Sequence, residues 1–133
     1  MFSHITVGSN DLEKSEKFYN AVLLPLGLIQ REVEPDGSPP ALCWTIPNQV
    51  MPRFFVYSPF NRGLANSGNG SMVAFIAPSI AAVNAAFAAA LAAGGSSEGD
   101  PAERAHYAKN YYGAYLRDPD GNKVHITYRG DLV

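Results

Sequence analysis

Apolar and polar positions alternate at the start of the chain, with Phe2, His4 and Thr6 on one side and Ser3, Ile5 and Val7 on the other. That period of two predicts a strand over Phe2 to Val7. Asn10 follows as a helix cap, with Glu13 three residues later in the capping-box position. Leu12, Tyr19, Leu23 and Leu26 then recur at helical spacing until Pro25 and Gly27 end the helix. Leu28 to Val33 reads as a second strand, followed by a turn or exposed loop at 34–40. Ala41 to Ile46 and Arg53 to Tyr57 read as a hairpin around Pro47, Asn48 and Pro52.

The order then repeats. Shifted by 68 residues without gaps, His4 to Gly27 falls on Met72 to Gly95: Ile5 meets Val73, Val7 meets Phe75, Tyr19 meets Phe87 and Gly27 meets Gly95. Met72 to Ala77 is the second copy's opening strand, and Ser79 caps a helix with one stripe formed by Ile80, Val83, Phe87 and Leu91. Gly94 and Gly95 stop that helix. Residues 96–110 read as a polar loop, and Tyr111 to Arg117 and Lys123 to Tyr128 form a last hairpin around Asp118-Pro119-Asp120-Gly121-Asn122. The predicted order is βαβββ twice, although the strand after Gly95 is weakly marked, with module one at about 1–60, a linker at 58–70 and module two at about 71–133. Each module is too short to bury its own surface well, so the pair is expected to share one core as a single domain over 1–133.

Composition narrows the function classes. The 133 residues are 47% apolar and carry a net charge of −2, which gives no electrostatic case for nucleic acid or an anionic membrane as partner. The start has no basic stretch with a long apolar run, and no later segment approaches the length of a membrane span. A single cysteine, Cys43, excludes an internal disulfide framework and any cysteine-based zinc site, and suits the cytoplasm. Nine of the residues from Ala81 to Ala93 are alanine, where the first copy has Glu13, Lys14, Glu16 and Lys17, so the second helix is expected to be the more buried.

Several motifs point nowhere. Ser3, Thr6 and Ser71 lack a nucleophile-elbow context, Gly68 and Gly70 form no phosphate-binding signature, and the DPDGN run lacks the remaining ligands of a calcium loop. Cys43 lies in a predicted strand and reads as structural. Arg53 starts a strand and reads as a solvated surface residue.

Two βαβββ modules, a histidine on the first strand and DPDGN before the last strand resemble the vicinal oxygen chelate superfamily. That group includes glyoxalase I, bleomycin-resistance proteins, fosfomycin-resistance enzymes and extradiol dioxygenases. The segments carrying the likeness are HITVGSNDLEKSEKFY, MVAFIAPSIAAVNAAFAAALAAGG and NYYGAYLRDPDGNKVHI, the last two similar to a glyoxalase-like bacterial subgroup. The resemblance implies an α+β fold whose two tandem modules form curved mixed sheets around a cleft, and a homodimer. It also implies metal ligands on the first and last strand of each module. Those positions fall on His4, Tyr57 (by the 68-residue offset), Met72 and His125.

Only two of these four are good ligands for a borderline divalent ion, and none is a carboxylate. The expected cleft is therefore metal-free, with no cofactor favoured. Strand parity turns His4 and His125 away from the helices, toward one cleft, where either could serve as acid or base near neutrality. Trp44, Tyr57, Met72, His106 and Tyr115 are the candidate ligand-binding residues, aromatic area with a few polar groups being the usual small-molecule arrangement. Trp44, Phe55, Tyr57 and Tyr115 divide between core and pocket, and His106 between cleft mouth and open surface. The expected function is a glyoxalase- or bleomycin-resistance-like small-molecule binder. Its alternative is a lyase, isomerase or dioxygenase that holds zinc, nickel, manganese or iron through His4 and His125.

Overall fold

The computed structural model describes residues 1–132. Module one contributes β1 (His4–Gly8), α1 (Leu12–Leu23), a 3₁₀ turn (Leu24–Leu26), β2 (Ile29–Arg31), β3 (Ala41–Thr45) and β4 (Arg53–Tyr57). Module two contributes β5 (Val73–Ile76), α2 (Ile80–Ala92), β6 (Ser96–Glu103), β7 (Tyr111–Arg117) and β8 (Lys123–Arg129). Each module is one open four-stranded mixed sheet, ordered β1-β4-β3-β2 in the first and β5-β8-β7-β6 in the second. The opening strand of each lies parallel to the last strand of its own module, and the other neighbours are antiparallel. The duplicated α+β architecture read from the hydrophobic pattern is the architecture observed.

Three details differ from the sequence reading. Asp11, not Asn10, caps α1, its carboxylate accepting from Lys14 N at 3.1 Å. Asn10 instead accepts from Ala65 N at 2.8 Å and so ties the linker back to module one. The expected loop at 96–110 begins with β6, an eight-residue strand whose pairing with β7 slips at Ser97/Gly99 and again at Gly99/Ala102. Its polar, Gly- and Pro-containing sequence hides it because it is an edge strand with irregular register. The buried face of α2 runs through Val83, Ala86, Phe87 and Ala90, while Ile80 and Leu91 stay exposed. With four buried positions against five on α1, α2 is not the more buried helix; its alanines serve close approach.

The core sits between the sheets, where α1 and α2 pack on each other. Trp44, Tyr19, Phe18, Phe54 and Phe75 form its aromatic centre, with Phe54 and Phe75 meeting edge to face across the modules at 5.1 Å. Gly95 fits a gap that no larger residue could share: a Cβ there would lie 2.6 Å from the Phe18 ring.

A buried polar latch also joins the modules. The turn between β7 and β8 reaches across to the start of α1. Asp118 accepts from Tyr19 Oη at 2.7 Å, from Asn122 Nδ2 at 2.9 Å, and from the backbone N–H groups of Asp120 and Asn122. Asn122 Nδ2 also donates to the Gly8 carbonyl, while Asp120 accepts from Asn10 N and Ser15 Oγ. Burial pushes the Asp118 carboxyl up from its ordinary value, and the donors around it offset part of that cost. The DPDGN segment is thus a turn, as read, and also the clasp between the two copies.

Among the described residues no helix is long and apolar enough to cross a membrane.

Candidate functional site

Strand parity places the candidate side chains. In module one, Val7, Phe54 and Val56 pack in the core on the helix side, which by alternation leaves His4, Thr6, Arg53, Phe55 and Tyr57 on the opposite, concave face. His4 is exposed, 3.0 Å from Ser3 Oγ through Nδ1, with its ring edge-on to Phe55 at 5.6 Å. Tyr57 lies against Phe55 and lines a cavity of about 510 Å³ with Thr6, Gly8, Pro59, Phe60 and Leu64.

In module two the same parity sends Val124 and Ile126 into the core and His125 to the concave face. There His125 is only 1% exposed, because two tyrosines from β7 enclose it. Its ring stacks on Tyr115 at 4.1 Å and lies nearly parallel to Tyr111 at 5.9 Å. The residue between those tyrosines in strand alternation is Gly113, and a Cβ there would lie 2.7 Å from His125 Cε1. Tyr-x-Gly-x-Tyr on β7 is therefore a slot cut for one imidazole.

Both ring nitrogens of His125 are engaged. Nδ1 lies 2.9 Å from the Ala114 carbonyl, which can only accept, so Nδ1 carries the proton. Nε2 must then accept from Tyr111 Oη, 2.7 Å away. Burial pushes the imidazole below its ordinary value of 6.5, Ala114 opposes that shift, and the nearby charges of Arg104 and Lys123 add to it. The sign follows directly: the unfolded chain takes up this proton more readily than the folded one. The contribution of neutral His125 to stability is full above pH 6.5 and is lost as pH falls below that value. An NMR titration of the imidazole Cε1–H should give a midpoint below 6.5, with the Nδ1–H tautomer persisting at neutral pH; a midpoint above 6.5 would contradict the enclosed, hydrogen-bonded ring.

The remaining candidates separate. Tyr115 and Met72 line a cavity of about 530 Å³ on the module-two face, together with Glu98, Tyr107, Arg117 and Lys123. The Tyr115 hydroxyl donates to Tyr107 Oη at 2.9 Å, and burial with that neighbour pushes it up to about 12. His106 is exposed and lies beside Tyr107, whose ring is 4.1 Å away; it lines neither cavity. Trp44 is not on a concave face: it is 1% exposed in the core, its indole N–H donates to Asn20 Oδ1 at 2.9 Å, and its edge reaches a small apolar groove of about 170 Å³ between the modules. Adjacent residues in a strand point to opposite sides, and it is Cys43, buried, that takes the other one.

The histidines do not share one cleft. The concave faces open on separate cavities, and neither His4 nor His125 lines either. The ladder registers also correct the fourth corner of the expected ligand set. Thr6 pairs with Phe55 and Ala74 with His125, so Thr6 corresponds to Ala74, 68 residues on, but Phe55 corresponds to His125, 70 residues on. Two residues enter between the first and last strands of module two, and the position matching His125 is Phe55, not Tyr57. The corners are then His4, Phe55, Met72 and His125. Two imidazoles, one with no free nitrogen, do not fit a three-donor zinc or iron set, and no three His, Cys, Asp or Glu side chains come together among the described residues. Sequence reasoning missed Gly113 and Lys123 and gave Tyr107 and Tyr111 no individual role; for Tyr111 and Gly113 the available signal is the Tyr-x-Gly-x-Tyr alternation opposite a strand histidine.

Fold and site define a duplicated βαβββ protein with concave faces carrying small-molecule-sized cavities. The chain belongs to the Glyoxalase/Bleomycin resistance protein/Dioxygenase superfamily, whose family model matches residues 1–126. A glyoxalase/bleomycin resistance protein from Albidiferax ferrireducens T118 is 40% identical over 97% of this chain and 98% of its own, with a TM-score of 0.81. A glyoxalase-related enzyme from Fulvimarina pelagi is 20% identical over 97% of this chain and 88% of its own, with a TM-score of 0.71. A family enzyme from Burkholderia phytofirmans PsJN is 19% identical over 95% of this chain and 96% of its own, at a TM-score of 0.69. The last two share the fold alone. No curated protein matches this chain.

Proposed function

We propose that this chain is a small-molecule-binding member of the family that works without a metal, using the module-two cavity around Tyr115, Met72 and Lys123. The observation that carries this reading is the engagement of His125: a nitrogen already bonded to Tyr111 is not available as a metal ligand or an exposed base. The wall of this cavity combines the Tyr107 and Tyr115 rings and Met72 with the polar groups of Ser71, Glu98, Arg117 and Lys123, so it offers both apolar area and orienting contacts to a small organic molecule. The thermal stability of chelator-treated protein tests it. Hydrophobic and aromatic ligands are expected to raise the melting temperature, by the equivalent of about 2.7 kcal/mol at a hundred times the dissociation constant. Divalent ions are expected to leave it unchanged; stabilisation by ions alone would support the metal-dependent lyase, isomerase or dioxygenase reading through His4 and His125.

The same reading includes a homodimer. β1 and β5 are edge strands, and an apolar groove of about 170 Å³ between them is lined by Ile5, Ile46, Phe54, Val73, Phe75 and Ile76. Ile76 is 66% exposed on an unpaired edge, an arrangement that invites another strand. Sedimentation equilibrium should return twice the chain mass, falling to one chain in Ile76→Lys; a monomeric wild type would remove this part of the reading.

A further inference from the structure

The module-two cavity carries a charge pattern that the family likeness does not supply. Among the described residues the ion pairs are Arg117 with Glu98 at 2.8 Å and Arg129 with Asp131 at 2.7 Å. Glu98 is held below the usual carboxylate range by Arg117 first and by Lys123 to a smaller extent, so two cations on the cavity wall share one carboxylate. Among the described residues Lys123 reaches no carboxylate within ion-pair distance; its ammonium stands 5.3 Å from the centre of the Tyr115 ring. Arg104 approaches the same ring at 5.4 Å, and its guanidinium donates to the neutral carbonyls of Asp100 and Gly113. The nearby Asp100 carboxylate accepts from Ser97 Oγ at 2.6 Å. The charged side chains lining the cavity are thus two cations, Arg117 and Lys123, against one carboxylate, Glu98, with Arg104 close to the same Tyr115 ring.

The hydroxyls are oriented to match. Tyr115 Oη donates to Tyr107 Oη at 2.9 Å, which leaves the Tyr107 proton free to donate outward. A lysine ammonium and an outward phenol O–H, both placed against Tyr115, are two donors for one anionic group. The Tyr115 ring and Met72 offer apolar surface for the rest of the molecule. We propose that this cavity selects small, flat, largely apolar molecules bearing one carboxylate, with Lys123 and Tyr107 as the residues that read the charge. The proposal rests on the small-molecule reading of the same cavity and adds the ligand's chemical class.

Titration calorimetry of chelator-treated protein with 1-naphthoate and with the neutral 1-naphthalenemethanol separates the two ideas. The carboxylate is expected to bind at least roughly tenfold more tightly than the alcohol, with an affinity that falls as salt is added. Lys123→Met, which keeps the aliphatic stem, should bring naphthoate down to the level of the alcohol. Lys123→Arg should restore much of the difference, and Tyr107→Phe should lose part of it. Unchanged melting temperatures of these variants would tie the losses to recognition. Equal binding of both probes, or full naphthoate affinity in Lys123→Met, would overturn the charge selectivity while leaving the binding cavity standing. Binding of neither probe would overturn both.

Discussion

Replacing Asp118 with alanine is expected to cost on the order of 3–4 kcal/mol, more than any single surface change in this protein. The side chain accepts four hydrogen bonds, two from backbone N–H groups of its own turn, one from Asn122 and one from Tyr19 of the other module. Removing it strands the Tyr19 hydroxyl in the core, where Tyr19 has no exposure. A buried donor left without a partner costs its full desolvation, which is why deletion exceeds the net worth of the bonds. For a domain of this size the loss corresponds to a fall in melting temperature of roughly 10–20 °C. Asp118→Asn should cost less, because the amide keeps one acceptor oxygen and removes a carboxylate that burial already disfavours. Tyr19→Phe deletes the donor and should cost about 1 kcal/mol. Chemical denaturation of the three variants checks the ranking, and an Asp118→Ala protein as stable as wild type would remove the latch from the fold's energetics.

Trp44→Ala is expected to lose about 3–5 kcal/mol, the ordinary range for emptying an aromatic site in a packed core. Trp44 touches Tyr19 and Phe54 and is sealed from solvent. Trp44→Phe should lose about 1–2 kcal/mol, for reduced area and the missing bond to Asn20. The informative readout is binding: naphthoate affinity of Trp44→Phe should equal that of wild type. A stable Trp44→Phe variant that no longer binds would return the indole to the ligand.

The contrast between Trp44 and Tyr115 indicates how far a sequence can be read here. Period and breakers mark seven strands and both helices directly, because hydrophobic alternation and capping are local properties, and only the repeated module order calls for the eighth. β6 is only weakly marked because an edge strand with slipped register has no alternation to show. Parity correctly turns His125 away from the core, but it cannot reveal that Tyr111 and Tyr115 close over the ring, since that depends on the register between β7 and β8. Gly113 is the residue that permits it, and its meaning appears only once His125 is set opposite Tyr115. The gapless 68-residue offset fails at the last strand for a similar reason: insertions between strands leave no mark on the hydrophobic pattern. Trp44 has the composition of a pocket residue, and only its place on the helix side of β3 assigns it to the core.

The identity of the fourth corner as Phe55 and the engaged nitrogens of His125 bear together on one question, whether this family member carries a metal. Elemental analysis of protein purified without a histidine tag answers it most directly. The expected result is zinc, nickel, manganese and iron all far below one per chain, with naphthoate binding unaltered by chelator. One equivalent of any of them, lost in a folded His4→Ala/His125→Ala double variant, would contradict it.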